Sequence, residues 1–300
     1  MKVAIRNISL LSFAFLLTAF TRIPDPDPVP PGSVCYIDNY ELVCPHETTA
    51  FDIEDEHREV HFELPGGAPP PSGWPAVIMF QGSWISAEFT WHASKILPFG
   101  AYYQTQVVED LLDHGYAVLT PETHFDGAGQ WDTNNLFGEE YKSSNDHAFM
   151  LRILSEIDAG SFGPLDGTSL YAAGISSGGH MTSRMAVSYP GRFAALAIQS
   201  GSYATCAGWI CTVGPIPLDH PPTLFLHGDN DPIVPIWTMQ PYADALTAAG
   251  ISNRQVIDPD ALHEWIPAAP GEVRAWFERR FFFLDNFESG DFAAWTSHTP

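Results

Sequence analysis

Residues 171–185 read YAAGISSGGHMTSRM, and within them Gly174-Ile175-Ser176-Ser177-Gly178 has the form G-x-S-x-G. A serine between glycines at that spacing can be held in a sharp strand-to-helix turn, its hydroxyl presented for attack on a carbonyl. Strand-like apolar residues precede the stretch and helix-period residues follow it, which is the context such a turn needs. The turn presses helix onto strand, so the positions two before and two after the nucleophile must be small. Centred on Ser176 they are Gly174 and Gly178; centred on Ser177 they become Ile175 and Gly179, and Ile175 would clash. Ser176 is the expected nucleophile.

A serine hydroxyl attacks at neutral pH only with a general base beside it, and the base is oriented by a carboxylate. Where the serine sits on a turn of this kind, the chain order is serine, acid, histidine. HGDNDPIVP (227–235) offers Asp229 and Asp231, and DALHEW (260–265) offers His263, each just past a strand-like run. His180 is nearer in sequence but falls inside the helix after the turn, so chain order assigns it to packing or pocket lining. The oxyanion of the tetrahedral intermediate needs N–H donors. The amide of Ser177 is one expected donor. The other is the amide of Ser83 in QGSW (81–84), with Gly82 and Trp84 as neighbours able to take its place. Trp84, Trp209, Trp237 and Trp265 lie in or beside loops of the same edge and are expected to form an apolar acyl-binding surface. No Cys, His or acidic spacing suggests a metal site and no glycine loop suggests a phosphate, so neither metal nor cofactor is expected.

These residues need a frame. AVIMF (76–80), YAVLT (116–120), LYAAGI (170–175), FAALAIQ (193–199), TLFLHG (223–228) and RQVID (254–258) read as strands. Continuous apolar runs of that length suit parallel strands covered on both faces. Between them run helical stripes: Val107, Val108, Leu111 and Leu112; Met150, Ile153, Leu154 and Ile157; Met181, Met185 and Tyr189; and Val273, Trp276, Phe277 and Phe281. The βαβα alternation implies an α/β fold with a mostly parallel central sheet and helices on both faces. Ligands bind such sheets beyond the C-terminal strand ends, where all the candidates above fall. The loop after FAALAIQ is short, leaving little room for a lid and favouring an open site.

Thirteen Lys and Arg against thirty-six Asp and Glu give a net charge of −23, which argues against nucleic-acid or anionic-membrane partners. Lys2 and Arg6 precede an apolar run from Ile8 to Phe20 that is too short to span a bilayer comfortably and has the layout of a secretory signal peptide. Residues 1–20 are expected to be that signal, so no membrane span is expected in the mature chain. RIPDPDPVPPG continues as a Pro-rich leader over 21–34, unable to form helix or central strand. Four cysteines allow three pairings; the local ones, Cys35 with Cys44 and Cys206 with Cys211, are favoured because each clips a short loop in an oxidising compartment.

Taken together, GISSGGHMTSRMAVSYPGRFAALAIQSGSYATC, HGDNDPIVP and LHEW resemble the α/β-hydrolase superfamily, and within it the extracellular medium-chain-length polyhydroxyalkanoate depolymerases. The resemblance covers roughly residues 35–285, and the Ile-Ser-Ser-Gly form of the serine box is its more specific part. It implies a secreted serine esterase acting on a hydrophobic polyester of 3-hydroxy acids, with Asp231 rather than Asp229 as the acid and His263 as the base; separately, a monomer is expected. Feruloyl, acetyl-xylan or short-chain polyhydroxybutyrate esters are the alternative substrates, and a non-catalytic polymer-binding protein is the alternative class. Residues 286–300 depart from the family and read as a tail, leaving 35–285 as the catalytic domain.

Overall fold

The computed structural model describes residues 23–54, 56–124, 129–133, 140–206 and 211–283. The signal segment, the first two leader residues, Trp209 and the 286–300 tail lie outside the described residues. Along the chain run β1 (Tyr36–Asp38), β2 (Glu41–Val43), β3 (Glu47–Ile53), β4 (Glu56–Glu63), β5 (Trp74–Phe80) and β6 (His92–Ser94). They are followed by α1 (Ala101–Asp113), β7 (Ala117–Pro121), α2 (Asn145–Ala159), β8 (Leu165–Ile175), α3 (Ser177–Ser188) and β9 (Phe193–Gln199). The last elements are β10 (Thr223–Gly228), α4 (Ile236–Ala248), β11 (Asn253–Asp258) and α5 (Ala269–Phe283). Every strand read from the sequence is present.

Among the described residues, eight strands form one sheet in the order β11-β10-β9-β8-β5-β7-β4-β3. From β11 to β7 all neighbours are parallel. β5 shows why the apolar runs are continuous. Val77 and Met79 enter a core with Val107, Leu111, Val273 and Phe277 of α1 and α5, whereas Ala76, Ile78 and Phe80 enter another with Phe149, Ile153, Met181 and Met185 of α2 and α3. Successive side chains of a strand point to opposite faces, so a strand covered on both must be apolar throughout.

The sequence reading missed β1 to β4, β6 and α4. β3 and β4 pair antiparallel and extend the sheet beyond β7. Their apolar residues alternate with charged ones (Phe51, Ile53; Val60, Phe62), because β3 is an edge strand with one solvated face. α4 carries Pro241, which weakens any helical reading, yet it buries Met239, Tyr242 and Leu246 against Phe225.

The leader runs over the surface of α1. Val29 and Val34 pack on the core, the Asp27 amide donates to Tyr102 Oη at 2.7 Å, and Lys95 Nζ meets Asp27 at 2.7 Å. Disulfides join Cys35 to Cys44 across the β1–β2 hairpin and Cys206 to Cys211 within the loop before β10. β1, β2 and β6 form a separate three-stranded sheet. No helix among the described residues is long and apolar enough to cross a membrane.

Chain direction decides where a site can form. From β5 the chain crosses to β7 on one side, and from β8 it crosses to β9 on the other, although β5 and β8 are neighbours. Their C-terminal loops therefore diverge and leave a crevice, the position where open α/β sheets bind ligands.

Candidate active site

Ser176 sits in that crevice, between the last residue of β8 and the first of α3. Its backbone is left-handed, φ 58° and ψ −122°, a conformation costly for a residue with a Cβ. Its amide donates to the Gln199 carbonyl at 3.1 Å. The glycines on either side do what their spacing suggests. A Cβ on Gly174 would collide with the Gly178 carbonyl, and one on Gly178 with the carbonyls of Phe80 and Gln81. Helix, β8 and the end of β5 are thus in contact through backbone alone.

Asp231 follows β10 and His263 follows β11. His263 Nδ1 donates to Asp231 Oδ2 at 2.7 Å, leaving Nε2 free to act as an acceptor. Asp231 Oδ1 accepts the amides of Ile233 and Val234, both at 2.9 Å. Burial opposes ionisation of Asp231, but hydrogen bonds from His227 and His263 and the Val234 amide outweigh it and hold the carboxyl well below its usual range. Asp229 instead uses its backbone amide to bind the Asp258 carbonyl and lies exposed.

His227 is a contributor that sequence reasoning passed over. Wholly buried, its Nε2 donates to the Val234 carbonyl at 2.7 Å and lies 3.4 Å from Asp231 Oδ2, closing the acid-bearing loop from below. It stands at the head of the same HGDND stretch, but a buried histidine there has no spacing that marks it out. His180, in α3, is buried and lines the cavity; its Nδ1 donates to the Ser176 carbonyl at 2.8 Å. Burial, aided by the neighbouring His263 and His227, pushes its pKa down to about 4, so it is a neutral ring.

The Ser176 and His263 side chains open into a cavity of about 250 Å³ whose apolar wall includes Trp84, Ile85, Phe99, Ile175, Ile233 and Val234. Ser83 and Ser177 line it too. Ser177 is the first residue of α3, where amides have no partner within the helix. The Trp84 amide donates to the Gly129 carbonyl at 2.8 Å, which removes it from the candidate oxyanion donors and leaves Gly82 and Ser83 as the candidates in this turn. A Cβ on Gly82 would stand 3.5 Å from that of Ser176, so this turn lies directly against the serine. Trp131, also unforeseen, joins both sides: its amide donates to Ser177 Oγ at 3.0 Å and its indole Nε1 to the Gln81 carbonyl at 3.1 Å.

The tryptophans divide. Trp84, with φ 61°, projects its ring outward at 78% exposure on the cavity wall. Trp237 is half-exposed in the first turn of α4, outside that wall. Trp265 corrects the expectation: its ring is completely buried in the α1–α5 core and cannot meet a substrate. Its amide donates to the Phe99 carbonyl at 3.0 Å, Gly100 packs directly on its carbonyl, and its ring joins the buried cluster of Tyr102, Leu111, Val273 and Phe277. The contact still serves the site, because Phe99 stands edge-on to His263 with ring centroids 6.2 Å apart.

Fold and site define a serine hydrolase of the α/β-hydrolase superfamily. The profile of the prolyl oligopeptidase family matches residues 215–289, which include Asp231 and His263. Over 240 residues, 79% of this chain and 85% of the relative, the sequence is 47% identical to a poly(3-hydroxyoctanoate) depolymerase from Pseudomonas fluorescens. The chain belongs to this depolymerase family. Solved structures show the same fold at low identity. A thermostable esterase matches with a TM-score of 0.56 at 18% identity, covering 78% of this chain and 63% of that one. The acylaminoacyl peptidase of Pyrococcus horikoshii matches at 0.52 and 15% identity over 81% of this chain, which spans only 41% of the peptidase.

Proposed function

We propose that the chain is a secreted esterase that hydrolyses a hydrophobic polyester, a medium-chain-length poly(3-hydroxyalkanoate), with Ser176, His263 and Asp231 as its catalytic residues. The observation that carries this reading is Ser176, held left-handed at the head of α3, sharing one cavity with a His263 ring whose other nitrogen is bonded to Asp231. Ser176 Oγ attacks the ester carbonyl while His263 Nε2 takes its proton. The Asp231 carboxylate stabilises the imidazolium, and the amides of Ser83 and Ser177 receive the oxyanion. His263 then protonates the departing hydroxyl, and water repeats the sequence on the acyl-enzyme to release the acid and free serine.

The substrate class draws support from the apolar cavity wall and from the activity that the named relative carries. Between β9 and β10 no helix or strand occurs among the described residues, which suits access by a polymer chain. Secretion is supported by the signal-like N-terminus and the two disulfides. On this reading residues 1–20 are removed, 35–285 form the catalytic domain, and 286–300 are a tail.

A fluorophosphonate probe should label the purified protein, and Ser176→Ala should abolish the labelling. p-Nitrophenyl esters of graded acyl length, followed by films of polyhydroxyoctanoate, polyhydroxybutyrate and feruloylated xylan, then read the substrate. Absence of labelling in the wild type sinks the mechanism; clearing of polyhydroxybutyrate or xylan alone replaces the substrate.

A further inference from the structure

Glu122 follows β7 directly and is 5% exposed, yet it has no place in the chemistry above. Besides the adjacent Thr123 amide and the ring of His61, 3.8 Å away, its carboxylate takes its donors from one short segment of distant chain. Oε1 accepts Gln81 Nε2 at 3.0 Å, and Oε2 accepts the Ser86 hydroxyl at 2.6 Å and the Ala87 amide at 2.8 Å. These three residues bracket Gly82, Ser83 and Trp84, the turn that lies against Ser176 and supplies one oxyanion donor. One buried carboxylate therefore grips both ends of the turn.

Glu122 is itself fixed. Its amide donates to the Glu59 carbonyl at 2.8 Å, and its own carbonyl accepts Arg58 Nη2 at 2.8 Å and Nε at 3.1 Å. The clamp therefore rests on β4 and β7 rather than on another loop. Charge-assisted hydrogen bonds to an ionised carboxylate are roughly twice as strong as neutral ones, and an oxyanion hole works only if its donors are in place before charge develops.

We propose that Glu122 is a positioning residue that sets the Ser83 amide for the oxyanion. The inference rests on the serine-esterase reading above. Gln cannot replace it: the amide would turn an NH₂ toward Ala87 N–H on one side, or toward Gln81 Nε2 and Thr123 N–H on the other. Deleting an oxyanion donor costs about 10²–10³ in kcat, and misplacing one costs a part of that.

The test compares wild type, Glu122→Gln and Ser86→Ala on p-nitrophenyl octanoate, with an eight-carbon trifluoromethyl ketone as the probe of the oxyanion site and thermal unfolding as the check on folding. Glu122→Gln is expected to lower kcat roughly 10- to 100-fold with little change in KM, and to weaken the ketone by the same factor. Ser86→Ala, which removes one strand of the clamp at a partly buried position, should shift both quantities the same way by a few-fold, and it carries the test if Glu122→Gln does not fold. A folded variant that melts earlier but keeps wild-type kcat and ketone affinity overturns the proposal, as does a loss of kcat without weakened ketone binding. A wild type that neither hydrolyses the ester nor binds the ketone overturns the esterase reading instead.

Discussion

Asp231 and His263 reach the cavity on loops after β10 and β11, and most of their support is local. Asp231 is held by amides two and three residues ahead and by His227 four residues behind. Across the cavity, the loops after β5 and β7 are held by residues far away in sequence. Arg58 Nη2 meets Asp146 Oδ1 at 2.8 Å over a separation of 88 residues. Asp146 Oδ2 accepts the Asp132 amide at 2.7 Å, and His124 bridges Glu56 and Asp132. This network underlies the stretch whose Gly129 carbonyl holds Trp84 and whose Trp131 amide holds Ser177. The proposed acid–base side is thus built from short motifs, and the proposed oxyanion side rests on a buried ionic cluster. Substitutions on the first should remove catalysis and spare the fold; those in the ionic cluster beneath the second should reach the fold first.

The largest effect tests the acid–base side. Asp231→Asn keeps an oxygen for the Ile233 and Val234 amides but turns an NH₂ toward His263, which then presents the wrong tautomer to Ser176. kcat on a soluble p-nitrophenyl ester should fall roughly 10⁴-fold while the circular dichroism spectrum and unfolding midpoint stay close to wild type. A fall of less than tenfold would mean that Asp231 does not orient the base.

On the other side Asp146→Asn leaves the Arg58 guanidinium, 1% exposed, without its buried counter-ion. Breaking such a pair costs about 3–5 kcal/mol, read by urea unfolding. The pH dependence should carry the same signature. Burial alone would lower the pKa of His124, but hydrogen bonds to Asp132 and Asp146 push it up to about 10 from 6.5. A raised histidine contributes in full below pH 6.5 and loses that contribution as pH rises through about 10. Asp146 has the opposite sign. Burial would raise its pKa, yet His124 and Arg58 hold it below 3.8, so its contribution is present above that pH and fades on acidification. Stability should therefore decline on both limbs, and His124→Gln should flatten the alkaline one. An unchanged alkaline limb in that variant would assign the decline to other groups.

The two sides also differ in how far they could be read beforehand. Ser176, Asp231 and His263 sit in compact stretches whose residue types and order carry their chemistry, and the apolar runs announce the parallel strands because both faces are covered. Glu122 has no such signal: its partners lie 35 to 41 residues away, and a lone acid after a strand reads as a solvated turn. β3 escaped because Phe51 and Ile53 are its only buried residues, and β4 because its buried positions include Arg58 and His61. The tryptophans show the limit most plainly. A place in or beside a loop at the C-terminal edge of the sheet suggested a substrate-facing role for Trp265, and only the packed core between α1 and α5 reveals the inward ring.

Trp265 and Trp84 supply the sharpest contrast. Trp265→Ala empties a fully buried site in the α1–α5 core and should cost about 3–5 kcal/mol of stability. Trp84→Ala removes a ring already 78% exposed, and surface substitutions of that kind stay within about 0.5 kcal/mol. Its place on the cavity wall adds to the case, since a ring projecting outward there stands where a substrate surface would arrive. Trp84→Ala should therefore leave the melting curve and the hydrolysis of short soluble esters almost unchanged, while slowing the clearing of a polyester film and weakening adsorption to it. Equal losses on soluble ester and film would place Trp84 with the oxyanion turn it belongs to, not with the polymer.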